Sequence, residues 1–363
     1  MGQPLVNITI KGYKSIRELE KFPLTALNVL IGANGSGKTN FISTFKLLNQ
    51  IVDENLQLFT GQQGGADTLL YFGRKETDQI EISLQFGENG YRCNLVPAVG
   101  DVLIFGDELI SYRGYGFTTS IGNGHRETRL FEESRKKPEK KTVSDYVIDA
   151  LKSWRVYHFH DTSAGAKVKQ KGDLNDNQVF RADASNLAAF LYFLRETKEP
   201  FYRKIVSTIR LVAPFFDDFN LRPDPFNPEK IQLEWREVGS DAYFNAHVLS
   251  DGTLRFICLA TLLLQPKMPS TILIDEPELG LHPYAITMLA SLLRSAATQT
   301  QVIVSTQSVP LVNQFQPEDI IVVDRDDHQS TFRRLVEKEL EGWLDGYGMG
   351  DLWEKNVLGG RPG

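Results

Sequence analysis

The chain has 363 residues, of which 41% are hydrophobic and 10% aromatic, so it can build one large or two moderate globular domains. The formal net charge of −6 excludes a protein that coats nucleic acid with its whole surface, and any such interface must be a local basic patch. The only two cysteines, Cys93 and Cys258, are far apart and indicate buried thiols in a reducing cytosol rather than a disulfide framework.

Nothing in the sequence indicates export or a membrane anchor. Residues 1–10 lack the charged start and the apolar block of a signal peptide. The longest apolar stretches, residues 256–264 and 302–304, are too short to cross a bilayer. We therefore expect a soluble, cytoplasmic protein with no membrane partner.

The N-terminal strands lead into a phosphate-binding loop. Residues 5–10 alternate as a strand does, a basic turn follows at residues 11–16, and residues 24–31 end in an apolar run. Residues 32–39 then read Gly-Ala-Asn-Gly-Ser-Gly-Lys-Thr, and a helical pattern covers residues 40–51. This arrangement of strand, glycine-rich turn and helix is the P-loop pattern, in which backbone N–H groups and the helix N-terminus converge on phosphate.

The P-loop predicts a nucleotide site with a metal ion. Lys38 would reach the β- and γ-phosphates, and Thr39 would ligate Mg²⁺. We therefore expect ATP and Mg²⁺ as ligands. The residues expected to hold the nucleotide are Asn34, Gly35, Ser36, Gly37, Lys38 and Thr39.

The next segments combine hairpins with a region of different character. Residues 79–105 alternate as β-hairpins and imply an antiparallel flank beside a parallel core. A run at residues 129–141 holds six Lys or Arg against three Glu, and a helical pattern covers residues 186–209. Charge runs are usually solvated faces, so a nucleic-acid or partner contact there is the alternative interpretation. The proline-rich residues 221–228 predict a stiff connector.

A short polar segment in this region offers a possible metal site. In the segment His158-Phe159-His160-Asp161, the two histidines have the spacing of ligands on one face of a strand. Zinc sites need three or four ligands, and no further cluster is visible nearby, so we do not predict a metal there. The neighbouring Trp154 and Tyr157 are expected in the core.

Three motifs in the second half complete the predicted site. Residues 250–253, Ser-Asp-Gly-Thr, precede an apolar helical run and would by themselves be an ordinary helix N-cap. The apolar residues 271–274 lead to Asp275 and Glu276, and the apolar residues 301–304 lead to Ser-Thr-Gln-Ser. A buried strand that ends in two acids supplies one carboxylate for hydrated Mg²⁺ and one that orients and deprotonates water.

Taken together, these four elements resemble an ABC-type ATPase of the SMC/RecF-like class. Within that class they are similar to the compact bacterial AAA-family ATPases that are related to OLD-family ATPase domains and are often found in anti-phage cassettes. The resemblance rests on residues 32–39, 249–253, 272–283 and 305–308. It implies an α/β fold, namely an ABC-type P-loop NTPase head with an antiparallel β flank and an inserted helical and β region.

The resemblance also implies an organisation in three parts and a dimer. Residues 1–105 would form the N-terminal lobe of the head, residues 106–231 an insertion that contacts a partner or nucleic acid, and residues 232–363 the C-terminal lobe. Two subunits would pair head to tail, so that each ATP lies between the P-loop of one subunit and Ser250 and Gly252 of the other.

The resemblance assigns roles to the acids and to the switch residue. Asp275 would hold Mg²⁺, Glu276 would be the catalytic base, and Gln307 would contact the γ-phosphate. Many relatives carry a histidine at the place of Gln307, and a glutamine amide cannot carry a positive charge, so we expect slow turnover. A further glutamine that monitors the metal is implied, for which three residues remain alternatives: Gln62, Gln63 and Gln79.

We expect a Mg²⁺-dependent ATP hydrolase that acts as an ATP-gated dimeric sensor or regulator of nucleic acid or of a separately encoded effector protein, in anti-phage defence or DNA maintenance. The alternative is an ATP-binding scaffold that sequesters a toxic effector with little hydrolysis. A transporter motor is disfavoured because residues 40–248 separate the P-loop from the Ser250 motif. A self-contained nuclease is disfavoured because residues 309–363 are too few for a further metal-dependent domain.

Overall fold

A computed structural model describes residues 4–115, 117–340, 342–343 and 346–360, so residues 1–3 of the segment inspected for a signal peptide lie outside it. The strands in these ranges are β1 Leu5–Tyr13, β2 Ile16–Pro23, β3 Leu27–Ile31, β4 Ile80–Phe86, β5 Asn89–Ala98, β6 Val102–Tyr112, β7 Phe117–Gly122, β8 Trp154–Tyr157, β9 Gly172–Asp173, β10 Phe216–Phe219, β11 Lys230–Ile231, β12 Glu234–Glu237, β13 Tyr243–Asn245, β14 Thr271–Asp275, β15 Gln301–Thr306, β16 Ile320–Asp326 and β17 Gln329–Arg334.

The α-helices in the same ranges are α1 Lys38–Val52, α2 Leu56–Gln62, α3 Ala66–Leu69, α4 Leu130–Arg135, α5 Val143–Ser153, α6 Leu187–Thr197, α7 Glu199–Val212, α8 Asp251–Leu264, α9 Pro283–Ala297, α10 Val309–Val312 and α11 Met349–Glu354. None of the helices formed by the described residues has the length and apolar character that a bilayer span requires.

A six-stranded sheet in the order β17-β16-β3-β15-β14-β8 carries the nucleotide motifs. All its neighbours are parallel except β17, which pairs antiparallel with β16. Strands β3, β14 and β15 are almost wholly buried, because both faces of the sheet are covered. The P-loop, the paired acids and Gln307 therefore follow the carboxyl ends of neighbouring strands, where α/β folds bind their ligands.

A second six-stranded sheet, in the order β2-β1-β4-β5-β6-β7, is antiparallel throughout and confirms the predicted flank. It packs with α1, α2 and α5 on one face of the central sheet, whereas α6 to α9 cover the other face. Alternate residues divide between these cores, since Val29 and Ile31 face the helices and Leu30 faces the antiparallel sheet. The expected α/β head with an antiparallel flank is the observed fold.

The residues predicted to form an insertion take part in both large sheets. The expected boundary at residue 105 falls within β6, and β8 forms an edge of the central sheet beside β14. The helical pattern at residues 186–209 corresponds to α6 and α7. The charged run at residues 129–141 includes α4 and contains ion pairs such as Lys136 with Glu133. Cys93 and Cys258 are buried free thiols, as expected.

Candidate functional site

The P-loop joins β3 to α1 and contains two glycines, Gly32 and Gly37, that no other residue could replace without displacing neighbours. Gly37 has a φ of 119°, and a Cβ there would lie 2.0 Å from Ser330 Oγ. A Cβ on Gly32 would lie 2.2 Å from the carbonyl oxygen of Val323. The close approach of β16 and β17 therefore requires glycine at these two points of the loop.

The backbone amides at the start of α1 and the side chain of Lys38 are the two groups of the loop that can bind an anion. No side chain caps the N-terminus of α1, so the first-turn amides remain available to a phosphate. Lys38 Nζ folds over the loop and donates hydrogen bonds to the carbonyl oxygens of Gly32 at 2.6 Å and Ala33 at 2.9 Å. Burial lowers the pKa of Lys38, and the carboxylates of Glu276 and Asp275 partly offset this effect.

The basic turn before the loop supports it from outside. Ser15 Oγ lies 2.7 Å from Ser330 Oγ and accepts a hydrogen bond of 2.7 Å from Asn40 Nδ2. Ser330 Oγ donates in turn to the carbonyl oxygen of Ser36 at 2.6 Å. Asn34, Gly35 and Thr39 remain exposed at the mouth of the loop. The β1–β2 turn and the start of β17 thus fix the cradle while its opening stays accessible.

The paired acids lie beside the switch residue. Ser305 Oγ donates a hydrogen bond to Asp275 Oδ1, and the Glu276 amide donates to the carbonyl oxygen of Ser305 at 2.9 Å. Gln307 Nε2 donates to Glu276 Oε1. The fold therefore brings Gln307 next to Asp275 and Glu276, although α9 separates Gln307 from these two acids along the chain.

A third acid belongs to this group, although the sequence analysis gave it no role. Glu278 is 7% exposed, and its Oε1 accepts hydrogen bonds from Thr306 Oγ at 2.5 Å and from the Gln307 amide at 3.3 Å. Its Oε2 is buried and accepts no hydrogen bond from the residues that the structure describes, and burial raises the pKa of the carboxyl above its ordinary range. The signal in the sequence was the third acid of the run Asp-Glu-Pro-Glu.

The residues present fit a nucleotide with its metal. The Thr39 hydroxyl and the Asp275 carboxylate are oxygen donors of the kind Mg²⁺ prefers, and the uncapped α1 and Lys38 suit phosphate. Within the described ranges, His, Cys, Asp and Glu side chains form no group of three that could hold a metal unaided, and this applies to His158 and His160 as well. Mg²⁺ commonly binds through one or two protein oxygens, water and substrate phosphates, which agrees with this donor set.

The Ser250 motif begins α8 and is exposed. Ser250 Oγ accepts a hydrogen bond from the Thr253 amide at 3.2 Å and caps the helix. Gly252 packs closely against the loop after Glu276, since a Cβ at Gly252 would lie 2.3 Å from the carbonyl oxygen of Gly280. Among the described residues, Ser250 makes no hydrogen bond to the P-loop of its own chain.

Arg255, one turn into α8, connects this motif to two other segments. It is 7% exposed, and its guanidinium donates to the carbonyl oxygens of Phe159 at 2.9 Å, His160 at 3.3 Å and Leu279. The helix that begins at Ser250 is therefore bonded both to the segment after β8 and to the loop after the paired acids. The sequence gave no indication of these contacts.

The three candidate glutamines lie outside the strands of the central sheet, and a histidine follows the edge strand β8. Gln62 and Gln63 lie at the end of α2, Gln79 precedes β4, and all three are exposed. His158 follows β8 and lies beside Asp275; burial, with the charge of Lys46, lowers the pKa of His158 to about 4. Trp154 and Tyr157 are buried, as expected.

Comparison with known proteins gives the same fold. A family profile described as "AAA domain, putative AbiEii toxin, Type IV TA system" matches residues 27–313. No curated protein matches the sequence. The Smc head bound to the C-winged helix domain of ScpA is 17% identical, with a TM-score of 0.57 over 94% of this chain and 99% of that chain.

A second similar structure is the Smc head domain from Pyrococcus furiosus with an extended coiled coil, bound to the C-terminal domain of ScpA. It is 16% identical, with a TM-score of 0.57 over 94% of this chain and 98% of that chain. At such identities the likeness shows the fold alone. Because the family profile covers most of the sequence, this chain belongs to that AAA-domain family, and its fold is that of the Smc head structures.

Proposed function

We propose that this chain binds and hydrolyses Mg²⁺-ATP in a head-to-tail dimer that acts as an ATP-gated regulator of a separate partner. One observation carries the proposal. Lys38, Asp275 and Glu276 share one edge of the central sheet, whereas the Ser250 motif is exposed elsewhere on the same chain. The hydroxyl of Ser250 and the N-terminal end of α8 are exposed, so the phosphates of a nucleotide held by a second subunit would reach them and a partner copy would complete the site.

The chemistry follows from the positions of the side chains. Lys38 and the first-turn amides of α1 would bind the β- and γ-phosphates and neutralise their charge. Glu276 would take a proton from water as the water oxygen bonds to the γ-phosphorus, and the bond to the ADP oxygen would break to release phosphate. Mg²⁺, which Thr39 and Asp275 would hold, supplies further charge compensation. Gln307 would orient the Glu276 carboxylate through the hydrogen bond that links them.

Two substitutions test the catalytic assignment. Glu276→Gln should lower phosphate release by about 100-fold or more and leave an ATP-bound dimer, because the base is lost while the binding groups remain. Lys38→Ala should lose both hydrolysis and the ATP-dependent dimer. Phosphate release and light scattering with and without ATP measure the two effects.

The matched control for this pair is Glu88→Gln, which changes an exposed glutamate in the β4–β5 turn and should behave as the wild type. If Glu276→Gln turned over at the wild-type rate, Glu276 would not be the base.

A protein effector has more support than nucleic acid as the partner. Lys167 pairs with Asp183 at 3.2 Å, and Lys171 pairs with Asp224, so these lysines are partly neutralised within the chain. The two Smc heads described above were solved bound to domains of ScpA, and the family description names a toxin–antitoxin system. We propose that residues 106–231 contribute to the contact and that the assembly serves defence or DNA maintenance in the cytoplasm.

The effector can be sought directly. The protein would be purified from its native host with ATP, without ATP and after nuclease treatment. A second polypeptide that copurifies only with ATP and survives the nuclease supports a protein effector. Copurification that nuclease abolishes would instead support a nucleic-acid partner.

A second function is a scaffold that sequesters a toxic effector with little hydrolysis. Gln307 favours it, because its amide is neutral and already bonded to the Glu276 carboxylate. The assays above distinguish the two functions. A wild-type protein that dimerises with ATP but releases no phosphate would be a scaffold rather than an ATP hydrolase.

A further inference from the structure

A histidine at the edge of the central sheet has one ring nitrogen that no described residue hydrogen-bonds. Strand β8 runs parallel to β14, and Tyr157 pairs with Ile274 in register. One residue further on, His158 follows β8 and Asp275 ends β14, so these two residues lie side by side at the carboxyl end of the sheet. This is the edge at which the proposed chemistry takes place.

The surroundings of His158 contain unpaired polar groups. Its Nε2 is buried and has no hydrogen-bond partner within the part of the chain that the structure describes, which costs free energy unless a ligand or water provides one. Lys46, on α1, is half-buried and makes no hydrogen bond or ion pair with the residues that the structure describes. Asp275 is near enough to both side chains to act on their ionisation. The imidazole nitrogen of His158 and the carboxylate of Asp275 thus follow neighbouring, paired strand positions, and the charge of Lys46 acts on both residues' surroundings.

The backbone on both sides of His158 is held in place. Its amide donates to the carbonyl oxygen of Ala182 at 3.1 Å. Arg255 bonds the carbonyl oxygens of Phe159 and His160, the two residues that follow. The imidazole is therefore presented from a fixed backbone rather than from a free loop.

We propose that His158 is a positioning residue of the loaded site, whose Nε2 hydrogen-bonds a water molecule of the hydrated Mg²⁺ beside Asp275. The inference rests on the proposed function. It gives to the imidazole that follows β8 the kind of role that the resemblance assigns to a glutamine. The alternative is that the His158 side chain has only a packing role.

Two variants separate the role of the nitrogen from that of the ring. His158→Phe keeps an aromatic ring but removes both nitrogens, and His158→Gln restores a polar group. His160→Ala is the matched control, because His160 is exposed and its ring lies 6.1 Å from that of His158, centroid to centroid. Calorimetric titration with a non-hydrolysable ATP analogue, in Mg²⁺ and in EDTA, measures binding without turnover. Thermal unfolding of the nucleotide-free protein measures packing.

The expected pattern is specific to a hydrogen bond in the metal shell. His158→Phe should weaken analogue binding about tenfold in Mg²⁺, as one hydrogen bond to a polarised water would, and leave binding in EDTA unchanged. His158→Gln should recover most of that loss, and His160→Ala should match the wild type. The unfolding temperature of nucleotide-free His158→Phe should not fall, because the aromatic ring is kept and the buried Nε2 that is lost has no hydrogen-bond partner among the described residues.

Three results would overturn the inference, and they can be told apart from failure of the proposed function. Equal binding by His158→Phe and the wild type in Mg²⁺ would refute the role of His158 alone. A loss of the same size in Mg²⁺ and EDTA, with a lower unfolding temperature, would show a packing role. Absence of Mg²⁺-dependent binding by the wild type would refute the proposed function and the inference with it.

Discussion

At the scale of single residues, the backbone of Glu276 is the most informative feature of the site. Its φ of 43° lies in the left-handed region, which costs a residue with a side chain about 1 kcal/mol. The hydrogen bonds from its amide to Ser305 and from Gln307 to its carboxylate offset this cost. The sharp turn directs the carboxylate away from the axis of β14, toward Gln307, and so fixes the base before a nucleotide arrives.

The first prediction at this scale concerns the charge of the switch residue. Gln307→His should raise the rate of phosphate release on the order of tenfold, because an imidazolium can stabilise the charge that develops on the γ-phosphate. Gln299→His, at an exposed position after α9, is the control for adding a histidine. A Gln307→His protein that hydrolyses no faster than the wild type would show that Gln307 does not limit turnover.

The second prediction uses the buried carboxyl of Glu278. Burial raises its pKa in the folded protein above the ordinary 4.5, so above that pH the unfolded chain releases its proton while the folded chain still binds it. The contribution of Glu278 to the free energy of unfolding is therefore complete below pH 4.5 and declines as the pH rises through the folded-state pKa.

Urea unfolding of the wild type and of Glu278→Gln between pH 4 and 8 measures this pH dependence of stability. The variant should become more stable relative to the wild type as the pH rises, because its amide stays neutral. A difference between the two proteins that does not vary with pH would contradict the prediction. Glu88→Gln, on the surface, should show no such trend.

At the scale of elements, the C-terminal tail packs against the start of the P-loop. The Gly360 amide donates to Asp324 Oδ2 at 3.0 Å, and a Cβ on Gly360 would lie 3.4 Å from the Cα of Gly32. The tail follows α11, whose Gly350 amide donates to Asn313 Oδ1 at 2.6 Å. The tail thus lies over the carboxyl ends of β3 and β16, and α11 before it is bonded to the end of α10.

Asp324→Ala tests whether this layer supports nucleotide binding. Loss of the hydrogen bond should cost about 1 kcal/mol of stability, and a looser tail should weaken ATP-analogue binding several-fold. Asp326→Ala, at an exposed position two residues later, should change neither quantity. Unchanged analogue affinity in Asp324→Ala would mean that the tail only packs and does not support the loop.

At the scale of the whole molecule, the proposed dimer predicts complementation between two inactive proteins. Ser250→Arg should prevent pairing by placing bulk and charge at the exposed α8 start, while its P-loop stays intact. Lys38→Ala has an intact Ser250 motif but binds no phosphate. A mixture of the two should regain phosphate release, because one kind of mixed dimer contains a complete composite site.

Each protein alone, and a mixture of Ser250→Arg with Glu276→Gln, serve as controls for this experiment. In that mixture, Ser250→Arg supplies an intact P-loop and base, and Glu276→Gln supplies an intact Ser250 motif. The mixture should therefore also regain phosphate release. Lys38→Ala mixed with Glu276→Gln should not, since neither chain holds both catalytic groups. Activity of Ser250→Arg on its own would exclude a site shared between subunits.

The sequence by itself determined the local parts of this protein. The glycine spacing of residues 32–39, the apolar runs before Asp275 and Ser305, and the alternation at residues 79–105 each follow from contacts within a few residues, and the structure has the corresponding strands and helix. The acids and Gln307 could be placed near the P-loop because parallel strands end at the same edge of a sheet.

The tertiary structure alone decided which distant segments meet that edge. Strand β8 joins β14 although more than a hundred residues separate them, so His158 reaches Asp275 and the predicted insertion becomes part of the central sheet. Arg255 and Glu278 also bond to residues that are distant in the sequence, namely Phe159 and Thr306. Strand pairing and burial of this kind depend on how whole layers pack, and a local pattern of residues does not encode them.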